Sequence, residues 1–532
     1  MSDTRTPFRY TVYLLLATVS CSVMLARIVS VESKTVSPKK THTPFLSAND
    51  RSRWCTVRSL VDEGTYAIDS MVKGKDKNWH TIDRVRHRGP DGQQHYFSSK
   101  PPLLPTLIAA EYWGLRQLTG TSIAQSPLYV GRILLVTTNL LPLVLYFLLL
   151  VRWIERSATT DFGSILVFAT ATFGTFLTTF SVTINNHLPA AVSVLVAAYC
   201  AHRIWYDNRH QLRYFVIAGC GAGFAAANEL PALSLLALLG AGLMWKSPRQ
   251  TMFGYLPAVI LVAIAFFGTN FLAHGDWLPP YAHRTDGKDL PSFDAGAHLA
   301  EELEAGKIPD EIRTQLPAPL NKAARELGLR KRYAGTGWEL SDKEQGKRYA
   351  LVQKGDRLKL REWGNWYDFA GSYWTSDLPR GVDLGEKSRK TYALHVLVGH
   401  HGIFSLTPVW ILSVVGLAMM FGRGLSGQQA LACLIFVLTA VCLIFYIGWR
   451  PVQDRNYGGV CSGFRWLFWF TPLWLMAMLP AADFFSKNRW LRWFAIVLLM
   501  VSVFSATYPW QNPWTHPWLF QYWESLGWIT YP

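Results

Sequence analysis

Four stretches of this chain carry residue types that do chemistry in company. Asp62-Glu63 is the first. Adjacent carboxylates can take a proton from an acceptor hydroxyl or amine, or hold a cation; taken alone, such a pair is more often a solvated helix face. Ser98-Ser99-Lys100-Pro101-Pro102 is the second. Prolines start a helix without losing a needed N–H, a helix N-terminus favours anions, and a lysine beside it adds a point charge for phosphate. That lysine could instead snorkel to lipid headgroups. The third stretch runs from Asp454 to Trp466, "DRNYGGVCSGFRW". Gly458, Gly459 and Gly463 permit close backbone approach and an anion-binding nest beside Tyr457. Arg465 opens an apolar run, where the helix dipole disfavours a cation, and a phosphate or carboxylate partner would remove the conflict. The fourth is a pair of turns, Asn185-Asn186-His187 and Asn228-Glu229. An acid at membrane depth is a functional candidate, while asparagines there serve equally as caps for short loops.

The elements that must position these groups are membrane spans. Of the 532 residues, 50% are hydrophobic and 17% charged, with 23 Trp; soluble domains carry about 25% charged residues. Apolar runs near the bilayer-crossing length predict an all-α polytopic membrane protein of about eleven transmembrane helices. They lie near 10–30, 128–152, 162–182, 188–205, 213–228, 230–245, 252–272, 402–422, 428–447, 466–483 and 490–508. The first is long and lacks a small-residue cleavage site, so it is expected to remain as an anchor. Arg5, Arg9, Arg152, Arg156, Arg203, Arg209, Arg213, Lys246, Arg249, Arg423, Lys487, Arg489 and Arg492 then fall on one side, which puts the N-terminus in the cytoplasm. Long loops, 31–127 and 273–401, lie outside. The expected division is a membrane module at 1–272 containing the first loop, a second outer loop at 273–401, helices at 402–508 and a Trp-rich interfacial tail at 509–532.

The outer loops have substructure. A polar stretch, Glu32–Arg53, reads as irregular, and "SLVDEGTYAIDSMV" reads as one amphipathic helix with Leu60, Gly64, Ile68 and Met71 on a face. Pro90-Asp91-Gly92 marks a turn between two extended segments, and "LLPTLIAAEYWGLRQL" reads as a second interfacial helix. Residues 295–329 suggest helices broken by Pro309 and Pro317, and "RYALVQKGDRLKLREW" a hairpin around Lys354-Gly355-Asp356. The second loop is thus a mixed α/β cap.

The net charge of +16 is spread over both faces, which argues against nucleic acid and for anionic lipid or a phosphorylated substrate. His395, His400 and His401 could bind metal only with a further ligand from elsewhere; hydrogen-bonded interfacial histidines are the simpler reading. No metal ligand set is assigned, and a divalent cation is left open as a cofactor. Cys55 and Cys461 are the two cysteines outside the spans, and their pairing is left open.

"VDEGTYAIDSMV", then "HYFSSKPPLLPTLIAAEYWGLRQLTG", then "VGRILL" opening the next span resembles the start of the GT-C class of membrane glycosyltransferases. The likeness is greatest to the bacterial branch that includes the lipid A aminoarabinose transferases and protein O-mannosyltransferase relatives. It covers about the first 150 residues, and its ordered combination of motifs carries it. The resemblance implies a GT-C-like bundle with juxtamembrane helices and a site at the outer face of a bacterial cytoplasmic membrane. It implies Asp62 as the catalytic carboxylate supported by Glu63, Lys100 as a ligand of the donor phosphate, and Arg132 as a second phosphate or structural contact. With Arg465 added to the phosphate ligands, Tyr66, Tyr96, His187, Glu229 and Tyr457 complete the expected substrate contacts. The partners would be a polyprenyl-phosphate-linked sugar, membrane lipid and a glycan, lipid or protein acceptor. A transporter or lipid flippase would use the same charges as a pathway and predicts related halves, which the sequence lacks. A catalytically inactive binding protein on the same scaffold is the third reading.

Overall fold

The computed structural model describes residues 5–33, 42–294, 297–316, 318, 320–322, 325–333, 337–342, 344, 347–354, 357–374, 378–422 and 428–531. Gly355, Asp356, Pro317 and Arg423, singled out above, lie outside these. The chain forms two compact units. The first comprises Met1–Trp54, Leu103–Phe266 and Arg380–Pro532, and the second Cys55–Pro102 and Phe267–Pro379.

The first unit is helical. Among the described residues, 8 helices of the chain are long and apolar enough to cross a membrane, which supports a multi-pass membrane protein. They are Pro7–Ser30, Pro127–Ser157, Asp161–Val182, His187–Tyr206, Pro248–His274, Gln428–Trp449, Arg465–Phe485 and Arg489–Thr507. Three of the eleven expected spans are shorter helices: Leu212–Asn228, Leu230–Lys246 and Trp410–Gly422. The run expected at 402–422 is broken, with a separate turn of helix at Ile403–Leu406. Some glycines here sit where no side chain would fit. A Cβ on Gly416 would collide with the Ala477 carbonyl oxygen, and one on Gly131 would stand 2.6 Å from Pro44 Cγ.

The second unit carries both sheets. Strands β1 (Arg84–Arg88) and β2 (Gln94–Ser98) form an antiparallel hairpin in the register Arg86↔Tyr96, with the expected Pro90-Asp91-Gly92 turn between them. Five further strands are β3 (Asp289–Asp294), β4 (Leu327–Lys331), β5 (Trp338–Asp342), β6 (Arg348–Lys354) and β7 (Arg357–Glu362). They form an antiparallel sheet in the order β3-β7-β6-β5-β4. The expected β6–β7 hairpin is present, with Lys354 opposite Arg357. Leu340, Leu351, Leu358 and Leu360 pack with Leu303 and Ile312 in its core. Among the described residues of 295–329, helices occupy Ala297–Glu304 and Asp310–Gln315, on either side of Pro309 as expected, while Leu327–Lys331 is a strand.

Two expectations about the first loop are corrected. The stretch expected to be irregular is helical from Ala48, and that helix ends at Asp62. Gly64 takes φ +68°, a left-handed conformation that stops a helix, and Glu63 and Thr65 both donate backbone N–H groups to the Ser59 carbonyl. A separate turn of helix follows at Asp69–Val72, so the single face Leu60-Gly64-Ile68-Met71 does not exist.

Candidate functional site

In the first unit, polar side chains from five separate segments converge on one connected set of contacts. It begins at the helix starting at Ala48. Ser47 and Asp50 form a capping box: Ser47 Oγ accepts from the Asp50 N–H at 3.2 Å, and Asp50 Oδ1 accepts from the Ser47 N–H at 2.8 Å. Asp50 Oδ2 also accepts from the Leu46 N–H at 3.0 Å and from Thr183 Oγ1 at 2.9 Å. Burial pushes the Asp50 carboxyl above its ordinary value, against the opposing pull of the Ser47 and Leu46 N–H groups. One turn on, buried Arg53 donates to Asn49 Oδ1 at 2.5 Å and to Asn186 Oδ1 at 2.7 Å.

The loop before the helix His187–Tyr206 is pinned from two sides. Asn139, in the π-helical turn Val136–Leu140 of the second span, donates to the Ser181 and Thr183 carbonyls at 2.8 and 2.9 Å. Asn185 Oδ1 accepts from the Leu188 N–H at 2.9 Å, a helix cap. Asn186 and His187 are thereby presented to Glu229, which caps the helix Leu212–Asn228. Asn186 Nδ2 donates to Glu229 Oε1 at 2.7 Å, and His187 Nδ1 hydrogen bonds to the same oxygen. Only 1% of His187 and 5% of Glu229 is exposed, so neither can turn to water for a partner.

Those contacts decide the histidine's proton. A carboxylate only accepts, so Nδ1 carries the hydrogen. The other nitrogen, Nε2, lies 3.0 Å from Arg465 Nη1, and a guanidinium only donates. His187 is therefore a neutral imidazole linking a buried carboxylate to a cation. Arg465 Nε also donates to the Gly458 carbonyl at 2.9 Å, and the guanidinium lies 5.1 Å from the centre of the Trp514 ring. Gly458 and Gly459 take φ +95° and +77°, which turns the Gly458 carbonyl toward the arginine. Trp514 Nε1 donates to Thr183 Oγ1 at 3.1 Å, which returns to Asp50. Neither Arg465 nor Arg132 has an ion-pair partner among the described residues. Arg132 donates to the Val31 carbonyl at 3.0 Å, and its Nε is buried without a partner.

The expected site residues divide accordingly. His187, Glu229 and Arg465 are brought together. Tyr457 is fully buried at φ +57°, and its hydroxyl lies 3.4 Å from Glu386 and 3.3 Å from Tyr531. In the second unit, Asp62 pairs with Arg58 at 3.5 Å and Glu63 accepts from Ser70 Oγ at 2.5 Å. Lys100 Nζ is 2.9 Å from Asp83 Oδ2, so its charge already has an anion. Tyr66 packs on the cluster of Val85, Phe97, Trp366 and Tyr367, and Tyr96 stands opposite Arg86 on the hairpin.

His400 and His401 share a 2.5 Å contact between Nδ1 atoms, and His400 Nε2 lies 2.9 Å from the Tyr531 hydroxyl. No group of three or more His, Cys, Asp or Glu among the described residues has metal-holding geometry. Cys55 and Cys461 are both buried free thiols. The sequence reading missed Asn49, Asp50, Arg53, Thr183 and Trp514. A signal for the first three was present: Ser47-x-x-Asp50 has capping-box spacing, and Asn49 and Arg53 stand four apart on one helix face.

No protein-family model and no curated protein sequence matches the chain. Solved structures similar to it include the following three. The protein O-mannosyltransferase complex of S. cerevisiae, bound to its sugar donor, matches over 100% of this chain and 93% of its own at 10% identity and a TM-score of 0.45. An apo oligosaccharyltransferase from Archaeoglobus fulgidus matches over 97% of this chain and 57% of its own, at 13% identity and a TM-score of 0.41. The oligosaccharyltransferase AglB of the same organism, in complex with an inhibitory peptide and a dolichol-phosphate, matches over 99% and 58%, at 14% identity and a TM-score of 0.39.

Proposed function

We propose that the protein is an integral membrane glycosyltransferase of GT-C type that moves a sugar from a polyprenyl-phosphate donor to an acceptor outside the cytoplasmic membrane. One observation carries the reading. Arg465, at the head of an apolar helix, is oriented by a neutral histidine and a carbonyl and has no ion-pair partner among the described residues. A cation fixed in that way keeps its charge for a ligand, and in a water-poor site that charge is worth most against a phosphate leaving group. Arg132 is the second such cation, at the head of the second span. With all eleven expected spans counted as crossings, the three short helices included, the ends that carry Val31, Arg132, His187, Glu229 and Arg465 fall on one side, and the arginine distribution favours the extracytoplasmic one.

The reaction breaks the bond between the anomeric carbon and the phosphate oxygen. The electron pair stays on the phosphate, where Arg465 and Arg132 receive the charge. The acceptor oxygen or nitrogen forms the new bond and gives its proton to a carboxylate. Asp62, supported by Glu63, is the carboxylate that the sequence resemblance assigns. Lys100 is the further phosphate ligand that the same resemblance assigns. Asp50, Arg53 and Asn186 act as positioning residues for the His187–Arg465 pair.

The test is transfer from a panel of labelled polyprenyl-phosphate sugars by the purified protein in lipid nanodiscs. Arg465→Gln should lower transfer by about 10²–10³-fold, the usual effect of removing one donor to a developing oxyanion. Wild-type rates in that variant would overturn the phosphate role. Sugar-lipid translocation without transfer would favour the flippase reading, and binding alone would favour an inactive scaffold.

A further inference from the structure

The hairpin of the second unit carries charge that the reaction above does not use. Strand β1 reads Arg-Val-Arg-His-Arg, and its burial alternates: Val85 and His87 face inward while Arg84 and Arg86 share the other face. At strand spacing the two arginines stand roughly 7 Å apart. Opposite Arg86 in register is Tyr96. Its ring centre lies 4.8 Å from the Arg84 guanidinium, 5.6 Å from that of Arg86 and 5.5 Å from Lys73 Nζ. Phe369 lies edge-on to Tyr96 at 5.5 Å, with the Arg84 guanidinium also 5.9 Å from its ring.

Three cations thus gather round one tyrosine, and carboxylates do not balance them. Lys73 pairs with Asp69 at 2.5 Å, but Asp69 also accepts from His95 and from the Tyr96 N–H. Arg84 and Arg86 have no ion-pair partner among the described residues, and Arg86 Nε is buried with no hydrogen-bond partner. Burial holds the Arg84 guanidinium below its ordinary value. Burial also holds Arg348 down, and the like charges of Arg330 and Arg86 add to it against the attraction of Glu339. A cation on a partly dry face has lost hydration, and an anion with several acceptor oxygens would supply the hydrogen bonds that water no longer does.

We infer that the Arg84–Arg86 face of the second unit, with Lys73 and the Tyr96 ring, is a phosphate-binding site in its own right. Two planar forks and one ammonium suit an anion with three or more oxygens better than a lone carboxylate, which one arginine satisfies. The phosphate could belong to a lipid headgroup or to a soluble phosphorylated molecule such as an acceptor, and the chemistry recognised is the same.

The test is hydrogen–deuterium exchange of the full-length protein in zwitterionic nanodiscs, with and without inorganic pyrophosphate. Exchange over residues 84–98 should slow about tenfold when pyrophosphate is present at ten times its Kd. The slowing should disappear in R84Q/R86Q, weaken in the charge-keeping R84K/R86K, and persist in K288Q, an exposed control lysine. It should also persist in R465Q, so that loss of transfer in that variant and loss of this site are read separately. In phosphatidylglycerol nanodiscs, protection without pyrophosphate supports the site with a lipid source; protection by pyrophosphate alone supports it with a soluble one. Unchanged exchange over 84–98 in the wild type under both conditions, or equal protection in R84Q/R86Q, overturns the inference.

Discussion

Glu229→Gln isolates what the buried carboxylate contributes. Glu229 Oε1 accepts from Asn186 Nδ2 at 2.7 Å and from His187 Nδ1, and the residue is 5% exposed. Glutamine keeps the shape and one acceptor oxygen but removes the charge. Hydrogen bonds to charged groups contribute about 1.5–3 kcal/mol and neutral ones about 1, so converting two of them removes about 1–4 kcal/mol. The amide can also turn its NH₂ toward Nδ1. The imidazole then protonates on Nε2 and meets Arg465 Nη1 donor to donor. If about 2 kcal/mol of arginine positioning is lost and carries through to the transition state, transfer slows about thirtyfold. The assay is kcat/KM for the active donor in nanodiscs, with thermal unfolding measured beside it. His187→Phe in the same assay should be at least as severe, and the double variant should lose less than the sum. A Glu229→Gln protein with wild-type transfer and wild-type unfolding temperature refutes the reasoning.

Two further outcomes follow from features outside that set. Burial holds the His87 imidazole down at about 4, below the roughly 6.5 of an unfolded histidine. Its contribution to the second unit is therefore complete above pH 6.5 and lost as pH falls toward about 4, with about 3 kcal/mol at stake. His95 runs the other way: its hydrogen bond to Asp91, and then that to Asp69, raise it, so its contribution is present in acid and fades as pH rises through its folded value. Proteolytic protection of residues 84–98 should fall between pH 6.5 and 4, and His87→Phe should flatten that limb; an acid limb unchanged in the variant would assign the loss elsewhere. Gly416→Ala should lower the unfolding temperature of the first unit, because the new methyl meets the Ala477 carbonyl in a fixed helix backbone. Unfolding at the wild-type temperature would mean that the two helices part without cost.

The helices and the local hairpins were legible in the sequence because their signals are local. Apolar length marked the spans, and Pro90-Asp91-Gly92 marked the turn between β1 and β2. The first-loop helix was displaced for an equally local reason. Its apolar pattern continues past Asp62, but Gly64 can adopt a backbone that ends it, while the capping box that starts it sits in a stretch without apolar periodicity. The five-stranded sheet was half visible: β6 and β7 are neighbours in sequence, whereas β3 reaches β7 across about half the outer loop. The convergence of Arg53, Asn186, Glu229 and Arg465 was out of reach of spacing. Those residues are far apart along the chain, and only the folded helix ends bring them together. The sequence did mark His187, Glu229 and Arg465 one at a time, as polar groups at the ends of apolar runs.

The contacts from Asn49 through Arg53, Asn186, Glu229, His187, Arg465, Trp514 and Thr183 come back to Asp50, the next residue along the chain, so they form a loop without a free end. A linear relay weakens at each break independently. A closed one is most damaged by the first cut, after which its remaining members are partly slack and a second cut does less harm. Tolerated changes at these positions should therefore arrive in pairs, and a scan of single substitutions will make each member look more essential than it is in a background already altered at another.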